Sequence, residues 1–142
     1  KHVFLIRSPV RIIASYRQKM PTVSEEDIGI VRQRELFDEV SDILGERPPV
    51  MDSADVLANP EHMLQKLCHT LGIEWIEGAM TKWASGSRAS DGVWAPHWYA
   101  AVEASTGFAA PAVEVPALNP ADEALACRMQ AHYEAMAAFK LI

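Results

Sequence analysis

Glycine is scarce in this chain, with seven in 142 residues and none before Gly29. A glycine-rich phosphate loop needs backbone that can approach a ligand closely, so the segment ahead of Gly29 holds no such loop. The two cysteines, Cys68 and Cys127, lie far apart, each in a helix-like stretch among apolar neighbours. That excludes a disulfide framework and predicts free, buried thiols in a reducing, cytoplasmic compartment. No apolar run approaches the roughly 20 residues needed to cross a bilayer, and no signal-peptide pattern is visible. The five histidines show neither HExxH nor Cys-His ligand spacing, which speaks against a metal site. No internal repeat or disordered tail is present.

What remains is the composition of one domain over residues 1–142, 49% apolar and 23% charged, enough for a single core. Its charge is uneven. Residues 1–34 carry +4 and the rest −10, for a net −6. The overall sign argues against a nucleic-acid backbone as partner, while the basic opening would favour a small polyanion. Arg11, Arg17, Arg32 and Arg34 also read as solvated helix faces, Arg11 and Arg17 at least as well as ligand groups.

The basic opening is also the richest stretch in local signals: KHVFLIRSPVRIIASY, residues 1–16. Val3 to Ile6 is an apolar, mostly branched run of the kind found in a covered parallel strand. Ser8 and Pro9 supply an N-cap and a first helical position, so the chain passes from strand directly into helix. Ligands of open α/β sheets bind beyond the carboxyl ends of strands, which puts Arg7 where a ligand would sit, beside free helical N–H groups. Ser15, on the same helix, could add a hydroxyl to the same phosphate.

Arg-x-Pro after a short apolar strand, with Ser eight residues beyond the Arg, resembles the 3′-phosphate-binding motif of sulfotransferases that use 3′-phosphoadenosine 5′-phosphosulfate (PAPS). The resemblance implies that Arg7 and Ser15 hold the cofactor's 3′-phosphate, a planar guanidinium offering two parallel hydrogen bonds and the hydroxyl a third. Ser8 stands where many members carry Asp or Asn. MDSADVLANPEHMLQKLCHTLGI, residues 51–73, resembles the family's acidic-Leu-Leu-x-(Asp/Asn)-Pro segment and following helix. It also reads structurally: Asn59 caps, Pro60 opens, Met63, Leu64, Leu67, Cys68 and Leu71 form the apolar stripe, and Gly72 ends the helix.

KWASGSRASDGVWAPHWYAAVEASTGF, residues 82–108, is similar to the family's late loop that folds over the nucleotide. On that resemblance Arg88 is a further 3′-phosphate ligand, and Gly86 and Ser87 give backbone donors. Here Ala89-Ser90 replaces the usual Lys-Gly, and Gly92-Val93-Trp94 replaces Gly-Asp-Trp. GVWAPHWY with the later STGF resembles a bacterial branch of sulfotransferase-like proteins sometimes named beside aminotransferases. Trp83, Trp94 and Trp98 could stack adenine or wall an acceptor pocket, with core packing expected for at least two of them. His97 reads as a structural or binding histidine.

Elsewhere a helix is expected from Ser24 to Leu44, stopped by Gly45 and buried through Ile28, Val31, Leu36, Phe37, Val40 and Leu44. A strand is expected at Pro49–Asp52, an extended surface run over Thr106–Leu118, and a last helix from Asn119-Pro120 to about Leu141. That helix is expected to bury Leu125, Met129, Tyr133, Met136 and Phe139.

The fold class expected is α/β, a three-layer αβα P-loop-transferase-like architecture of which this is the helix-rich C-terminal portion. The sulfuryl-binding loop would belong to a missing N-terminal portion of the same protein, because one convincing strand besides Val3–Ile6 does not make a doubly wound sheet. The function implied by the resemblance is transfer of a sulfuryl group from PAPS to a hydroxyl or amine of a small-molecule acceptor, with no nucleic-acid or membrane partner. A P-loop nucleotide or small-molecule kinase and a non-catalytic interaction module that keeps the fold are the alternatives.

Overall fold

A computed structural model describes residues 1–93, 95 and 99–142, so Trp94, His97 and Trp98 lie outside the described residues. The described residues form a mixed α/β fold whose parallel two-stranded sheet joins β1 (Phe4–Ile6) to β2 (Val50–Asp52), with Phe4 paired to Val50 and Ile6 to Asp52. Side chains alternate across this sheet. Ile6 and Val50 enter a core built with α1 (Pro9–Arg17), α3 (Ile30–Leu44) and α7 (Pro120–Ala137), centred on Ile13, Phe37 and Met136. On the opposite face Met51 packs with Val56 of α4 (Ser53–Ala58) and Met63 of α5 (Pro60–Leu71). Leu5, beside Met51 in register, stays 61% exposed.

The sequence signals place most helix ends correctly. Asn59 accepts the His62 N–H, Pro60 stands at the start of α5, and Gly72 closes it at φ 62°. Asn119 likewise accepts the N–H groups of Ala121 and Asp122 at the start of α7.

The stretch expected as one helix from Ser24 to Leu44 is two. Ser24 and Asp27 form a reciprocal capping box that starts α2 (Glu25–Ile28), and Gly29 at φ 64° breaks the helical path before α3. Within α3 Ile30 is buried with Phe37, seven residues on and so on the same face, whereas Leu36, about 100° round the helix from Phe37, and Leu44, the last helical residue, are exposed. Because L side chains are costly at that backbone angle, Gly29→Ala is expected to lose about 1 kcal/mol of stability in urea denaturation, although the space around it is open.

Helix α7 ends at Ala137 rather than near Leu141, because the chain turns back to the sheet. Lys140 bridges Val50 in parallel and Leu141 N–H donates to Val50 O at 2.9 Å, so residues 140–141 line the edge of β2 that β1 does not occupy. Phe139 is partly exposed in that turn. The chain from Phe108 to Leu118 forms no helix or strand and lies mostly at the surface, fastened where Arg11 Nη2 donates to Ala112 O at 2.8 Å. Both cysteines are free, but only Cys68 is buried. Cys127 is exposed, since it falls outside the Leu125, Ala126 and Met129 face of α7. No described helix is long and apolar enough to cross a membrane.

Two buried carboxylates tie the layers together, and neither was expected from the sequence. Asp122, in the first turn of α7, receives Arg17 Nε at 2.8 Å from the last turn of α1, so each charge also complements its own helix dipole. Asp52, at the end of β2, caps α4 through Ala54 N–H at 2.9 Å and accepts a hydrogen bond from Tyr133 Oη of α7.

Candidate functional site

A cleft of about 900 Å³ opens at the carboxyl ends of both strands. Its floor is Leu5 and Ile6 of β1 with Arg7 directly after the strand, and Ser53 following the end of β2. Ile12 of α1, the α2–α3 junction at Gly29, and Val56 and Leu57 of α4 form the sides. The remaining wall comes from Ala101 and Val102 of α6 (Ala100–Ala104) and from Phe108. Gln33 of α3 also lines it and donates from Nε2 to Leu5 O at 2.8 Å, satisfying a carbonyl on the edge of β1 that faces away from β2.

The electrostatics of this cleft are simple. Arg7 is exposed, and its guanidinium has no hydrogen bond or ion pair among the described residues. Other arginines nearby are engaged: Arg11 with Ala112, Arg17 with Asp122, and Arg34 with Asp38 at 2.7 Å. No carboxylate stands among the described lining residues, so Arg7 is a free cation in a largely apolar recess. Beside it, Ser8 occupies the N-cap of α1 but its side chain makes no capping hydrogen bond, which leaves the helix start for another acceptor.

Of the three residues anticipated as phosphate ligands, Arg7 lines the cleft and Ser15 and Arg88 do not. Ser15 is exposed on α1, seven residues from Ser8 and therefore on nearly the same helix face about two turns along. Arg88 sits in an exposed turn in which its N–H donates to Asp91 Oδ2 at 2.8 Å and its Nη2 to Ala84 O at 3.4 Å. Gly86, expected as a backbone donor, already gives its N–H to Glu103 O at 2.7 Å, so that donor is spent inside the loop.

Trp83 packs edge-on against Phe108 with ring centroids 5.3 Å apart and donates Nε1–H to Ser105 Oγ at 2.9 Å. It packs against a lining residue of the cleft rather than in either core cluster, and Trp94 and Trp98 lie outside the described residues. Phe108 was missed as a lining residue because it follows the loop signals by many residues; only the STGF turn pointed to it. Among the described residues no cluster of three or more His, Cys, Asp or Glu could hold a metal ion.

A free guanidinium at the tips of parallel strands, next to a helix start, defines an α/β protein with a cationic group in a largely apolar cleft. Comparison with known proteins gives that class a family: a family model described as "Sulfotransferase domain" matches residues 1–140, and the chain belongs to that family. It is 36% identical over 111 residues to branched-chain-amino-acid aminotransferase-like protein 1 of Arabidopsis thaliana, covering 78% of this chain and 20% of that protein. To branched-chain-amino-acid aminotransferase-like protein 2 of the same plant it is 33% identical over 111 residues, covering 78% of this chain and 19% of that protein. The chain thus spans about a fifth of the length of these relatives. No solved structure matches.

Proposed function

We propose that this chain is the cofactor-gripping part of a PAPS-dependent sulfotransferase with a three-layer P-loop-type body, acting on a hydroxyl or amine of a small-molecule acceptor. When bound, PAPS supplies the sulfuryl group that passes to the acceptor by in-line displacement at sulfur. The observation that carries the reading is Arg7, an unpaired guanidinium at the end of β1 in a cleft without carboxylates. Its planar fork suits two oxygens of a phosphate, and a nucleoside has room in a recess of about 900 Å³ lined by aliphatic groups.

Ser15 adds its hydroxyl from α1, and Arg88 reaches the same phosphate when its loop folds toward the cleft. These residues orient the nucleotide and select the 3′-phosphate; the chemical step falls to groups elsewhere in the protein. Positioning and charge stabilisation are the contributions such a site makes to group transfer. The net charge of −6 favours a small anion over nucleic acid as the ligand.

The test is calorimetric titration of 3′-phosphoadenosine 5′-phosphate into the full-length protein, with AMP, ADP and ATP as controls. Micromolar binding that needs the 3′-phosphate is expected, weakened by about 1.5 to 3 kcal/mol in Ser15→Ala, the range for a hydrogen bond to a charged group. Preference for ATP with Mg²⁺ would point instead to a kinase, and no nucleotide binding to an interaction module.

A further inference from the structure

The chain after α7 does more than close the edge of β2. Phe139 roots it, its ring 5.7 Å from that of Phe37 and the Arg47 guanidinium 5.2 Å from its centroid. Beyond that root it grips α4. Leu141 packs with Met51, Val56 and Met63 in the smaller core cluster, and Lys140 Nζ donates to Asp55 Oδ2 at 2.8 Å. From α7 itself the Tyr133 hydroxyl donates to Asp52. Asp52 is the N-cap of α4 and Asp55 lies in its first turn, so both carboxylates at the start of this helix are held by α7 and the residues that follow it.

A helix of six residues does not keep its shape alone, so its position is set by what holds it. One side of α4 supplies Ser53, Val56 and Leu57 to the cleft, while Tyr133, Lys140 and Leu141 are not among the described lining residues. Val56 belongs to both sides, lining the cleft and packing in the cluster that includes Leu141. A ligand and the chain after α7 thus meet the same short helix without competing for space. The Lys140 and Asp55 side chains are 34% and 35% exposed, and an ion pair with that access to water fastens only weakly.

Resting on the reading of the cleft as the ligand site, we propose that residues 139–142 form a strap whose seating sets the α4 wall of the cleft, with Lys140 as its positioning residue, so that strap seating and ligand binding are linked. A lifted strap weakens the ligand, and by thermodynamic reciprocity a filled cleft holds the strap down.

The experiment combines calorimetric titration of 3′-phosphoadenosine 5′-phosphate into the full-length protein with amide hydrogen exchange. Lys140→Met, which keeps most of the apolar stem and drops the charge, is expected to weaken binding by about twofold to fivefold, as much as an exposed ion pair supplies. Asp55→Asn should do the same with no further loss in the double variant, and Lys140→Arg should restore binding. Lys140→Met with Leu141→Ala removes both handholds and should weaken binding about tenfold, within the ordinary range of coupling between sites. AMP should weaken by the same factors, because the grip of Arg7 on the 3′-phosphate is untouched. Saturating ligand should slow exchange of the Leu141 amide, which donates to Val50 O, and Lys140→Met should reduce that slowing. Thermal melting of each variant shows that the fold is retained, and the single variants stand if the double one does not fold. No slowing at Leu141 on ligand binding, or unchanged affinity in folded Lys140→Met and Asp55→Asn, overturns the proposal. Binding that is lost in Arg7→Ala but indifferent to every strap variant would leave the cofactor reading standing and remove this one. No binding of 3′-phosphoadenosine 5′-phosphate by the wild type would remove both.

Discussion

Phe37→Ala is expected to cost about 3 to 5 kcal/mol, a large share of the 5 to 15 kcal/mol that holds a typical domain folded. Phe37 is fully buried at the centre of the larger core. Its ring meets Phe4 edge-on at 5.3 Å and lies tilted over Phe139 at 5.7 Å, with the Arg47 guanidinium 5.7 Å from its centroid. Truncation removes the apolar burial and leaves a cavity that three elements, β1, α3 and the turn after α7, would have to close together. Because α3 also carries Gln33 against Leu5, loosening it should reach the base of the cleft. Urea denaturation measures the loss, and a value under about 1 kcal/mol would mean that α3 is not packed on the sheet as described.

Asp52→Ala is expected to cost about 2 to 4 kcal/mol. The carboxylate is buried, caps α4 and receives the Tyr133 hydroxyl, so its removal loses an N-cap and a hydrogen bond to a charged group together. The contact also has a pH signature. Burial first, then the hydrogen bond to Asp52 and the negative charges around it, push the Tyr133 phenol above its ordinary value of 10.0. A group whose folded pKa is raised contributes stability that is complete below its unfolded pKa and is lost as pH rises toward the folded one. Wild-type stability should therefore decline above about pH 10, and Tyr133→Phe should be less stable at pH 7 with a shallower alkaline decline. Tyr16, raised by partial desolvation and its bond to Asp27, contributes in the same direction in both proteins and cancels in the comparison. Equal alkaline slopes for the two proteins would contradict the assignment.

These two sites show what the sequence could and could not disclose. Local signals act within a few residues, so the Asn59, Pro60 and Gly72 boundaries of α5 and the helix start at Ser24 were legible, as was the passage from strand through Arg7 into helix. The Asp52–Tyr133 and Arg17–Asp122 links were not. Each joins residues remote in sequence, and an acidic residue near a helix start reads as ordinary capping until a partner is brought to it. Gly29 was passed over because an apolar period continues on both sides of it, yet a single residue at φ 64° ends one helix and redirects the chain into the next. The pairing of residues 140–141 with β2 was hidden for the same reason in reverse: the helical pattern runs on to Leu141, but the open edge of the strand outcompetes the last turn. In the site, the position of Arg7 followed from its place after a strand, whereas Phe108 and its brace Trp83 depend on loop pairing that leaves no periodic trace.

The central claim is that Arg7 grips a 3′-phosphate, and a thermodynamic cycle tests it most directly. Calorimetric affinities of the full-length protein and of Arg7→Ala for 3′-phosphoadenosine 5′-phosphate and for AMP isolate the coupling between the guanidinium and that one phosphate, because everything else in the two ligands is shared. The account predicts that the preference for the 3′-phosphate falls by about 1.5 to 3 kcal/mol in Arg7→Ala, as expected for a charged hydrogen bond, while AMP binding changes little. An equal preference in both proteins would contradict it.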